Sequence, residues 1–555
     1  MRSLGLAIVL ALTLAAPAAA REAVVTSFDG VQLHVSFHPA AGLKAGHRAP
    51  TILQTHGWGQ KRDQNPNSPS SNGTGNVGTG PLRKAGFNVL TWDSRGFGES
   101  GGTVEVDSKD FEGRDVQVLL DWLAKQPEAR LDRRGDPRVG MHGVSYAGGI
   151  ELVAAAIDKR IDAIVPTIAW NSLLTSLYKE ETVKSGWSSL LYAAGQTGRL
   201  DSHIGSAFAS GTTTGKLSAE DRAWFESRGP GDALVKRIRV PTMLLQGTAD
   251  TLFTTSEAIR NYGILRRNHV PVKMMWFCGG HGTCLTGTGP DGHFEAAVIA
   301  WLRRYVTGKK NVKTGPGFEW LADDAKWRHS RRWPAPAGKP IIATGTGTLV
   351  LSPADTVSGN PTAAAPAANA VNVAIPAATA QVVGLPRLRL TYSGTGTVTH
   401  VFAQIVDEQR NVVVGNLVTP IPVTLDGASH TVARPLEGIA ASLTPTGRYH
   451  LQIIGGSQVY GPVRGAAAIT FSAVGLKLPT VGRARACRTH RRFAVRLPHR
   501  LRSAKVWVAG KRVKVRRHRF VVDARGTSKR KVTARIVAHR RNGDVVRQRR
   551  VYRFC

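Results

Sequence analysis

The chain has 555 residues, and at roughly 150 residues per domain this length allows three or four domains. Hydrophobic residues make up 42% and charged residues 20% of the chain, which excludes a mainly disordered protein. The formal net charge is +36, and residues 481–555 alone hold 26 lysines and arginines against two acidic residues. A strongly basic C-terminal module therefore follows a mildly basic remainder.

The N-terminus has the pattern of a secretory signal peptide over residues 1–20. Arg2 precedes an apolar run from Leu4 to Pro17, and three alanines follow before Arg21. Such a basic start, apolar centre and small-residue cleavage site direct export. The run is shorter than the ~20 apolar residues of a membrane-spanning helix, although an uncleaved anchor is the alternative. We expect a secreted or cell-envelope-associated protein without a transmembrane segment in the mature chain.

Four cysteines are consistent with an oxidising compartment, where disulfides persist. Cys278 and Cys284 are six positions apart, and Cys487 and Cys555 lie at the two ends of the basic module. The economical pairing is Cys278–Cys284 and Cys487–Cys555, one of three connectivities. Free buried thiols are one alternative. A metal site of Cys278, His281 and Cys284 is another, but it lacks an evident fourth ligand.

After the signal peptide, the chain divides into three parts that differ in their pattern of apolar, polar and turn-forming residues. Residues 21–310 alternate short apolar runs with helical patterns, which predicts a mostly parallel sheet covered on both faces. The Trp-, Tyr- and Leu-rich stretch 170–235 breaks this alternation and is interpreted as an inserted helical cap. Residues 311–480 have short β-branched runs between turns, which predicts a β-sandwich, with a jelly roll as one form. Residues 481–555 predict a small basic all-β module of hairpins.

The sharpest chemical signal is the sequence from His142 to Gly149, HGVSYAGG. It follows an apolar strand and precedes a helical run, and the small residues Gly143 and Ala147 lie two positions before and after Ser145. Such a strand-to-helix turn lifts a serine hydroxyl above the sheet as a nucleophile. Ala147 stands where glycine usually closes the motif. The backbone N–H of Tyr146, at the start of the helix, is then a candidate donor to an oxyanion.

A serine nucleophile needs a base, and the base needs a carboxylate that orients it. Asp250 follows the apolar strand that ends at Gly247, and His281 lies in a glycine-rich loop after the next strand. The order and context predict a triad of Ser145, Asp250 and His281. His293 is the alternative base, although it opens a helix. Asp93 ends an earlier strand and is interpreted as part of a structural turn, paired with Arg95.

The second oxyanion donor is expected in the loop His56-Gly57-Trp58-Gly59, which follows a strand. A loop of this type places a backbone N–H opposite that of Tyr146. We therefore predict the Trp58 backbone as donor. We place the rings of Trp58 and Trp170 at the substrate pocket, with plain packing as the alternative for Trp58.

With these motifs and the run DSRGFGESGG (residues 93–102), residues 23–475 resemble the X-Pro dipeptidyl-peptidase and cocaine-esterase-like serine hydrolases. The resemblance implies an α/β-hydrolase core with a helical cap, followed by a C-terminal jelly roll. It implies Ser145 as nucleophile, Asp250 as acid, His281 as base and the Tyr146 N–H as oxyanion donor. Members often use a tyrosine hydroxyl as the other donor, whereas Trp58 stands in that place here. The basic module lies outside the resemblance.

The resulting hypothesis is an exported serine hydrolase that cleaves acyl esters, or X-Pro dipeptides and amides, through an acyl-enzyme. No metal or organic cofactor is required, and the partner is a small ester or peptide. Glu180 and Glu181 in the cap are candidates to hold the amino terminus of an X-Pro substrate, with solvated acids on an exposed helix as the alternative. The alternative is a non-catalytic envelope-binding protein that works through residues 481–555. For that module, anionic envelope polymers are favoured over nucleic acid, and a merely solvated face is the third interpretation.

Overall fold

The computed structural model describes residues 19–482, 491–497, 501–525, 531–540 and 543–554. Two compact units divide the chain between Gly482 and Arg483. The predicted signal peptide, except for its last two residues, and the predicted Cys487–Cys555 bond lie outside the described residues. Within the described ranges, no helix is long and apolar enough to cross a membrane.

A ten-stranded sheet forms the centre of the first unit, with the strand order β1-β2-β4-β3-β7-β8-β9-β10-β11-β12. Neighbours from β4 to β11 in this order are parallel, whereas β1, β2 and β12 pair antiparallel. The predicted mostly parallel sheet is therefore confirmed. These strands and the separate hairpin β5–β6 are β1 (Arg21–Thr26), β2 (Gln32–His38), β3 (Thr51–Gln54), β4 (Asn88–Trp92), β5 (Leu131–Arg133), β6 (Asp136–Pro137), β7 (Val139–Val144), β8 (Ile161–Thr167), β9 (Thr242–Gly247), β10 (Val272–Phe277), β11 (Phe318–Leu321) and β12 (Trp327–Ser330).

Helices cover both faces of this sheet, because its central strands are apolar on both sides. In β10, Met274 and Trp276 belong to one core and Met275 and Phe277 to the opposite one, as the two-residue period of a strand requires. Helices α2, α3, α8 and α9 pack on the first face, and α1 and α10 pack on the second. The helices are α1 (Thr79–Lys84), α2 (Glu112–Leu123), α3 (Tyr146–Ile157), α4 (Leu173–Leu177), α5 (Ser185–Gly195), α6 (Ser202–Thr214), α7 (Ala219–Glu226), α8 (Gly231–Val235), α9 (Thr255–Arg267) and α10 (His293–Tyr305), with a 3-10 turn at Lys179–Glu181.

The stretch between β8 and β9 is helical, as predicted from the interrupted alternation of strand and helix patterns. It contains α4 to α8. Trp187 and Ile204 from this stretch join an aromatic cluster with Tyr146, Trp170 and Phe253. The inserted helices therefore lie against the residues that follow the strands of the large sheet.

The remainder of the first unit contains two four-stranded antiparallel sheets, β13-β24-β18-β21 and β16-β23-β19-β20. Their inward-facing residues form one shared core, as in a β-sandwich. The strands are β13 (Ile341–Leu351), β14 (Gly359–Asn360), β15 (Ala363–Ala364), β16 (Ala370–Ile375), β17 (Ala380–Gly384), β18 (Arg387–Gly396), β19 (His400–Asp407), β20 (Val412–Pro422), β21 (His430–Pro435), β22 (Ile439–Leu443), β23 (Tyr449–Ile454) and β24 (Ala467–Leu478).

The boundary at residue 310 needs a correction. Strands β11 and β12 come after it, yet they extend the ten-stranded sheet and not the sandwich. The apolar side chains of Phe318 and Trp320 pack in the core beneath that sheet. Burial of these side chains explains why the two strands extend the large sheet and not the sandwich.

The second unit is a small β structure. Strands β25 and β28 pair with each other, and β27-β26-β29-β30 form a four-stranded sheet. Both contribute to one apolar core that includes Val506, Phe520 and Ile536. The strands are β25 (Arg492–Arg496), β26 (Leu501–Val508), β27 (Lys511–Val513), β28 (Arg519–Asp523), β29 (Lys531–Arg540) and β30 (Val545–Arg553).

Candidate active site

Ser145 lies in the sharp turn that joins β7 to α3. Its φ of 59° lies in the left-handed region, where a residue other than glycine is strained. The turn needs small neighbours: a Cβ at Gly143 would lie 2.5 Å from the Cβ of Ala147, and one at Gly148 would lie 2.9 Å from the Thr167 carbonyl oxygen. The alanine at position 147 fits because position 143 is glycine.

The structure brings Ser145, His281 and Asp250 together in one chain of hydrogen bonds. Ser145 Oγ is 2.7 Å from His281 Nε2, and His281 Nδ1 is 2.8 Å from Asp250 Oδ2. Asp250 follows β9 and His281 follows β10, two neighbouring parallel strands. The carboxyl ends of such strands meet at one edge of the sheet, which explains how residues 31 and 136 positions from His281 come into contact with it.

The acid and the imidazole are both held in place by their surroundings. The backbone N–H groups of Leu252 and Phe253 donate to Asp250 Oδ1 at 3.0 and 2.8 Å. The rings of Trp187 and Phe253 meet the His281 ring edge-on. A Cβ at Gly280, whose φ is 109°, would lie 2.7 Å from Asp250 Oδ2. Only glycine therefore lets the histidine loop approach the carboxylate so closely.

A disulfide joins Cys278 to Cys284, as predicted from their spacing. It closes the short loop that carries His281. Since the two sulfur atoms are bonded to each other, neither is a free thiolate that would ligate a metal with His281.

The alternative residues lie in other interactions. His293 Nε2 is 3.2 Å from Glu319 Oε2, and its ring stacks on Trp327. The expected pairing of Asp93 with Arg95 is wrong. Asp93 is buried and pairs with Arg62, whose guanidinium approaches from the loop after β3. Arg95 pairs with two other carboxylates.

The predicted oxyanion residues lie on two sides of Ser145. Tyr146 is the first residue of α3, so its N–H has no acceptor within the helix. Trp58 follows β3, and its indole N–H donates to the Leu191 carbonyl oxygen at 2.8 Å. The ring of Trp58 meets that of Tyr146 edge-on, with 5.4 Å between ring centres. Trp58 and Trp170 both line a cavity beside Ser145.

Two carboxyl groups behind Tyr146 were not predicted from the sequence. The Tyr146 hydroxyl donates to Glu112 Oε1 at 3.2 Å, and Glu112 also accepts the backbone N–H groups of Glu105 and Ser108. Burial raises the pKa of Glu112 to about 7. Burial also raises the pKa of Asp107 well above its usual range, because neither of its oxygens has a hydrogen-bond partner among the described residues.

A buried lysine beside the acid loop was also missed. Lys184 Nζ donates to the carbonyl oxygens of Thr251 and Leu252, each at 2.8 Å. Burial lowers the pKa of this amine to about 8. Nothing in the local sequence marks Lys184, since it directly precedes α5 in an otherwise Trp- and Leu-rich segment.

Solved structures with the same overall fold cover most of this chain. An α-amino acid ester hydrolase aligns with a TM-score of 0.63 and 15% identity over 83% of this chain and 96% of its own. An aminopeptidase from a marine sediment archaeon, Thaumarchaeota archaeon, aligns with a TM-score of 0.62 and 15% identity over 87% of this chain and 99% of its own. A CocE/NonD family hydrolase from Staphylococcus aureus aligns with a TM-score of 0.58 and 12% identity over 83% of this chain and 93% of its own. At these identities the likeness shows the α/β-hydrolase type of fold.

Curated relatives match part of the chain. A putative Xaa-Pro dipeptidyl-peptidase from Bacillus cereus is 23% identical over 280 residues, which cover 46% of each chain. An uncharacterized 31.7 kDa protein from Escherichia coli is 28% identical over 168 residues, 30% of this chain and 55% of its own. The chain thus spans about half the length of these relatives. Residues 29–283 match the family model described as X-Pro dipeptidyl-peptidase (S15 family). This segment contains Ser145, Asp250 and His281, and its similarity to the S15 family supports a serine hydrolase.

Proposed function

We propose that this protein hydrolyses acyl esters or X-Pro peptide bonds through a Ser145–His281–Asp250 triad. The single observation that carries the proposal is the unbroken chain of hydrogen bonds from Ser145 Oγ through His281 to Asp250. Serine hydroxyls are weak nucleophiles, and an adjacent oriented base activates them.

In this mechanism Asp250 holds the His281 proton on Nδ1, so that Nε2 is free to accept the Ser145 proton. Ser145 Oγ then attacks the acyl carbonyl carbon, and His281 passes the proton to the leaving group. Water, deprotonated by His281, hydrolyses the acyl-enzyme and regenerates the serine. Asp250 keeps its charge throughout, because the N–H groups of Leu252 and Phe253 and the imidazole stabilise the carboxylate.

The negative charge that develops on the acyl oxygen needs donors. We assign this role to the backbone N–H of Tyr146, where the N-terminal end of α3 adds a favourable dipole, and to the backbone N–H of Trp58. The indole N–H of Trp58 is engaged by Leu191, which supports a backbone and not a side-chain donor.

The finer architecture is part of the proposal. The helices between β8 and β9 act as a cap over Ser145, the two-sheet unit from β13 to β24 is a jelly roll, and residues 483–555 are a separate domain. The leader-like residues 1–20 direct export, so that the enzyme works outside the cytoplasm, where the Cys278–Cys284 bond persists.

The test is labelling of the purified protein by a fluorophosphonate, which reacts with activated serines. Ser145→Ala should abolish labelling. Ser189→Ala is the matched control, since Ser189 is an exposed serine of α5 that does not line the cavity beside Ser145, and it should label like the natural protein. Absence of labelling in well-folded natural protein would overturn the triad.

We propose as a second function that the basic unit binds an anionic envelope polymer. Exposed Arg535 lies directly opposite exposed Arg549, and Lys531 lies opposite Arg553, across the pair β29–β30. Like charges in such positions repel, and a polyanion across this face relieves the repulsion. Arg535 also lies over the Trp507 ring, which gives the face one flat apolar contact.

Retention on an immobilised polyphosphate column tests this second function. The double change Arg535→Gln/Arg549→Gln should elute at lower salt than the natural protein. The control Arg237→Gln/Arg239→Gln removes the same charge from the first unit and should elute unchanged. Equal decreases in the eluting salt concentration for both variants would show that retention depends only on overall charge. If duplex DNA competed more effectively than teichoic acid, the face would be assigned to nucleic acid.

A further inference from the structure

A cavity opens beside Ser145. Its lining comes from the ends of the large sheet and from the inserted helices. Among the residues that the structure describes, every side chain that lines it is uncharged, and most are aliphatic or aromatic. Representative members are Trp58, Trp170, Val183, Leu191 and Phe208.

The cavity lies on the acyl side of the reaction. Ser145 and Tyr146 both line it, whereas His281 does not. The imidazole delivers the proton to the leaving group, so the leaving group departs near His281. The group that stays on Ser145 therefore extends into the cavity.

The acidic residues expected to hold a substrate amino terminus do not reach this cavity. Glu180 Oε1 lies 3.5 Å from Arg434 Nε, and Glu181 Oε1 lies 3.3 Å from Arg222 Nη1. Neither residue lines the cavity. Both carboxylates are thus neutralised by arginines outside it.

Asp107 is a buried carboxyl group next to the lining residue Val106, and its oxygens have no hydrogen-bond partner among the described residues. A Cβ at Gly149 would lie 2.2 Å from Asp107 Oδ2 and 2.5 Å from the Trp170 ring. The carboxyl group therefore lies among Gly149 and Trp170, and Trp170 itself forms part of the lining. Asp107 does not line the cavity, so a substrate ammonium held there has no counter-ion.

We propose that the cavity selects uncharged, apolar acyl groups, so that the substrates are esters of apolar carboxylic acids and not X-Pro peptides or other substrates with a free α-ammonium group. An ammonium loses hydration on entry and meets no carboxylate among the described lining residues, which is unfavourable. Each methylene of an apolar acyl chain gains burial instead, about fourfold in binding per group.

This inference rests on the proposed hydrolase function, and the experiment separates the two. We would measure kcat/KM at pH 6.5 for p-nitrophenyl butanoate, hexanoate and 2-aminohexanoate, each divided by its spontaneous hydrolysis rate. Hexanoate should exceed butanoate by about 15-fold, as two buried methylenes predict. Hexanoate should exceed 2-aminohexanoate, which differs by the α-ammonium alone, by at least 100-fold. Gly-Pro-p-nitroanilide should be cleaved more slowly still.

A matched pair of variants on α5 places a carboxylate inside or outside the cavity. Leu191→Asp changes a lining residue and should lower the hexanoate preference over 2-aminohexanoate at least tenfold. Leu190→Asp changes its exposed neighbour, which does not line the cavity, and should leave the ratio unchanged. Fluorophosphonate labelling of each variant shows that it is folded. If a variant does not fold, the ratio of kcat/KM for hexanoate to that for 2-aminohexanoate in the natural protein still tests the inference.

The outcomes are distinct. Labelling of Ser145 together with equal or faster cleavage of 2-aminohexanoate or Gly-Pro-p-nitroanilide overturns the inference and leaves the hydrolase function standing. If Asp107→Asn then removed that cleavage alone, the buried carboxyl group would be the ammonium partner. No labelling and no ester cleavage overturn the hydrolase function and the inference together.

Discussion

The buried ammonium group of Lys184 donates a hydrogen bond to the carbonyl oxygen of Thr251, the residue that follows Asp250. A second hydrogen bond from the same group reaches the Leu252 carbonyl oxygen. Lys184 precedes α5 in the inserted helical segment, so this contact ties that segment to the loop that carries Asp250, the proposed catalytic acid. We therefore expect a change at Lys184 to disturb the placement of Asp250.

Lys184→Met should lower kcat at least tenfold with little change in KM. The methionine keeps the apolar stem but leaves two buried carbonyl groups without a donor, each at a cost of about 1–3 kcal/mol, so the acid loop shifts or loosens. Steady-state kinetics with an ester substrate checks this. The exposed Lys159 offers the control Lys159→Met, which should behave like the natural protein, and an unchanged kcat in Lys184→Met would show that the acid loop holds without the ammonium.

Asp250→Asn should lower kcat by about 10,000-fold, with KM nearly unchanged, because an amide favours the imidazole tautomer that cannot accept the Ser145 proton. Fluorophosphonate labelling should slow in parallel. Asp232→Asn is the control, since Asp232 forms an exposed ion pair with Arg260 that contributes little. A loss of less than tenfold in Asp250→Asn would assign the orienting role to another carboxylate.

Loss of the Cys278–Cys284 bond should impair both stability and catalysis. The double change Cys278→Ser/Cys284→Ser removes a short closed loop, which is worth about 2 kcal/mol of unfolding free energy in the chain-entropy model. The kcat should also fall, because the loop holds His281. Mild reduction of the natural protein should reproduce the loss of kcat, whereas reductant should not lower kcat further in the double variant.

The raised pKa of Glu112 predicts that the free energy of unfolding decreases as pH rises. Its pKa is raised by burial from 4.5 to about 7, so between pH 4.5 and 7 the folded protein binds more protons than the unfolded chain. Unfolding free energy from this group therefore decreases as pH rises through that window, by up to about 3 kcal/mol.

Glu112→Gln removes this titration. Denaturant unfolding at pH 5 and pH 8 should show that the natural protein loses more stability between the two pH values than Glu112→Gln does. Equal losses for the two proteins would mean that Glu112 stays charged, stabilised by the Glu105 and Ser108 N–H groups.

Features that depend on neighbours in the chain were predictable from the sequence. The turn at Ser145 is signalled by the nearby small residues Gly143 and Ala147, because a Cβ at Gly143 would collide with Ala147 within the turn itself. The disulfide joins two cysteines only six positions apart. The loops of Asp250 and His281 follow recognisable buried strands, and parallel strands bring such loops to one edge.

The sequence by itself thus determined the sheet, the order of Ser145, Asp250 and His281, and the local disulfide. The tertiary structure alone decided which distant groups meet: Lys184 with Thr251, Asp93 with Arg62 and not Arg95, and the strands after residue 310 with the large sheet. It also decided that the described side chains lining the cavity beside Ser145 are all uncharged. The physical reason is that local motifs need only neighbouring residues, whereas ion pairing and burial between distant segments depend on how the whole unit packs.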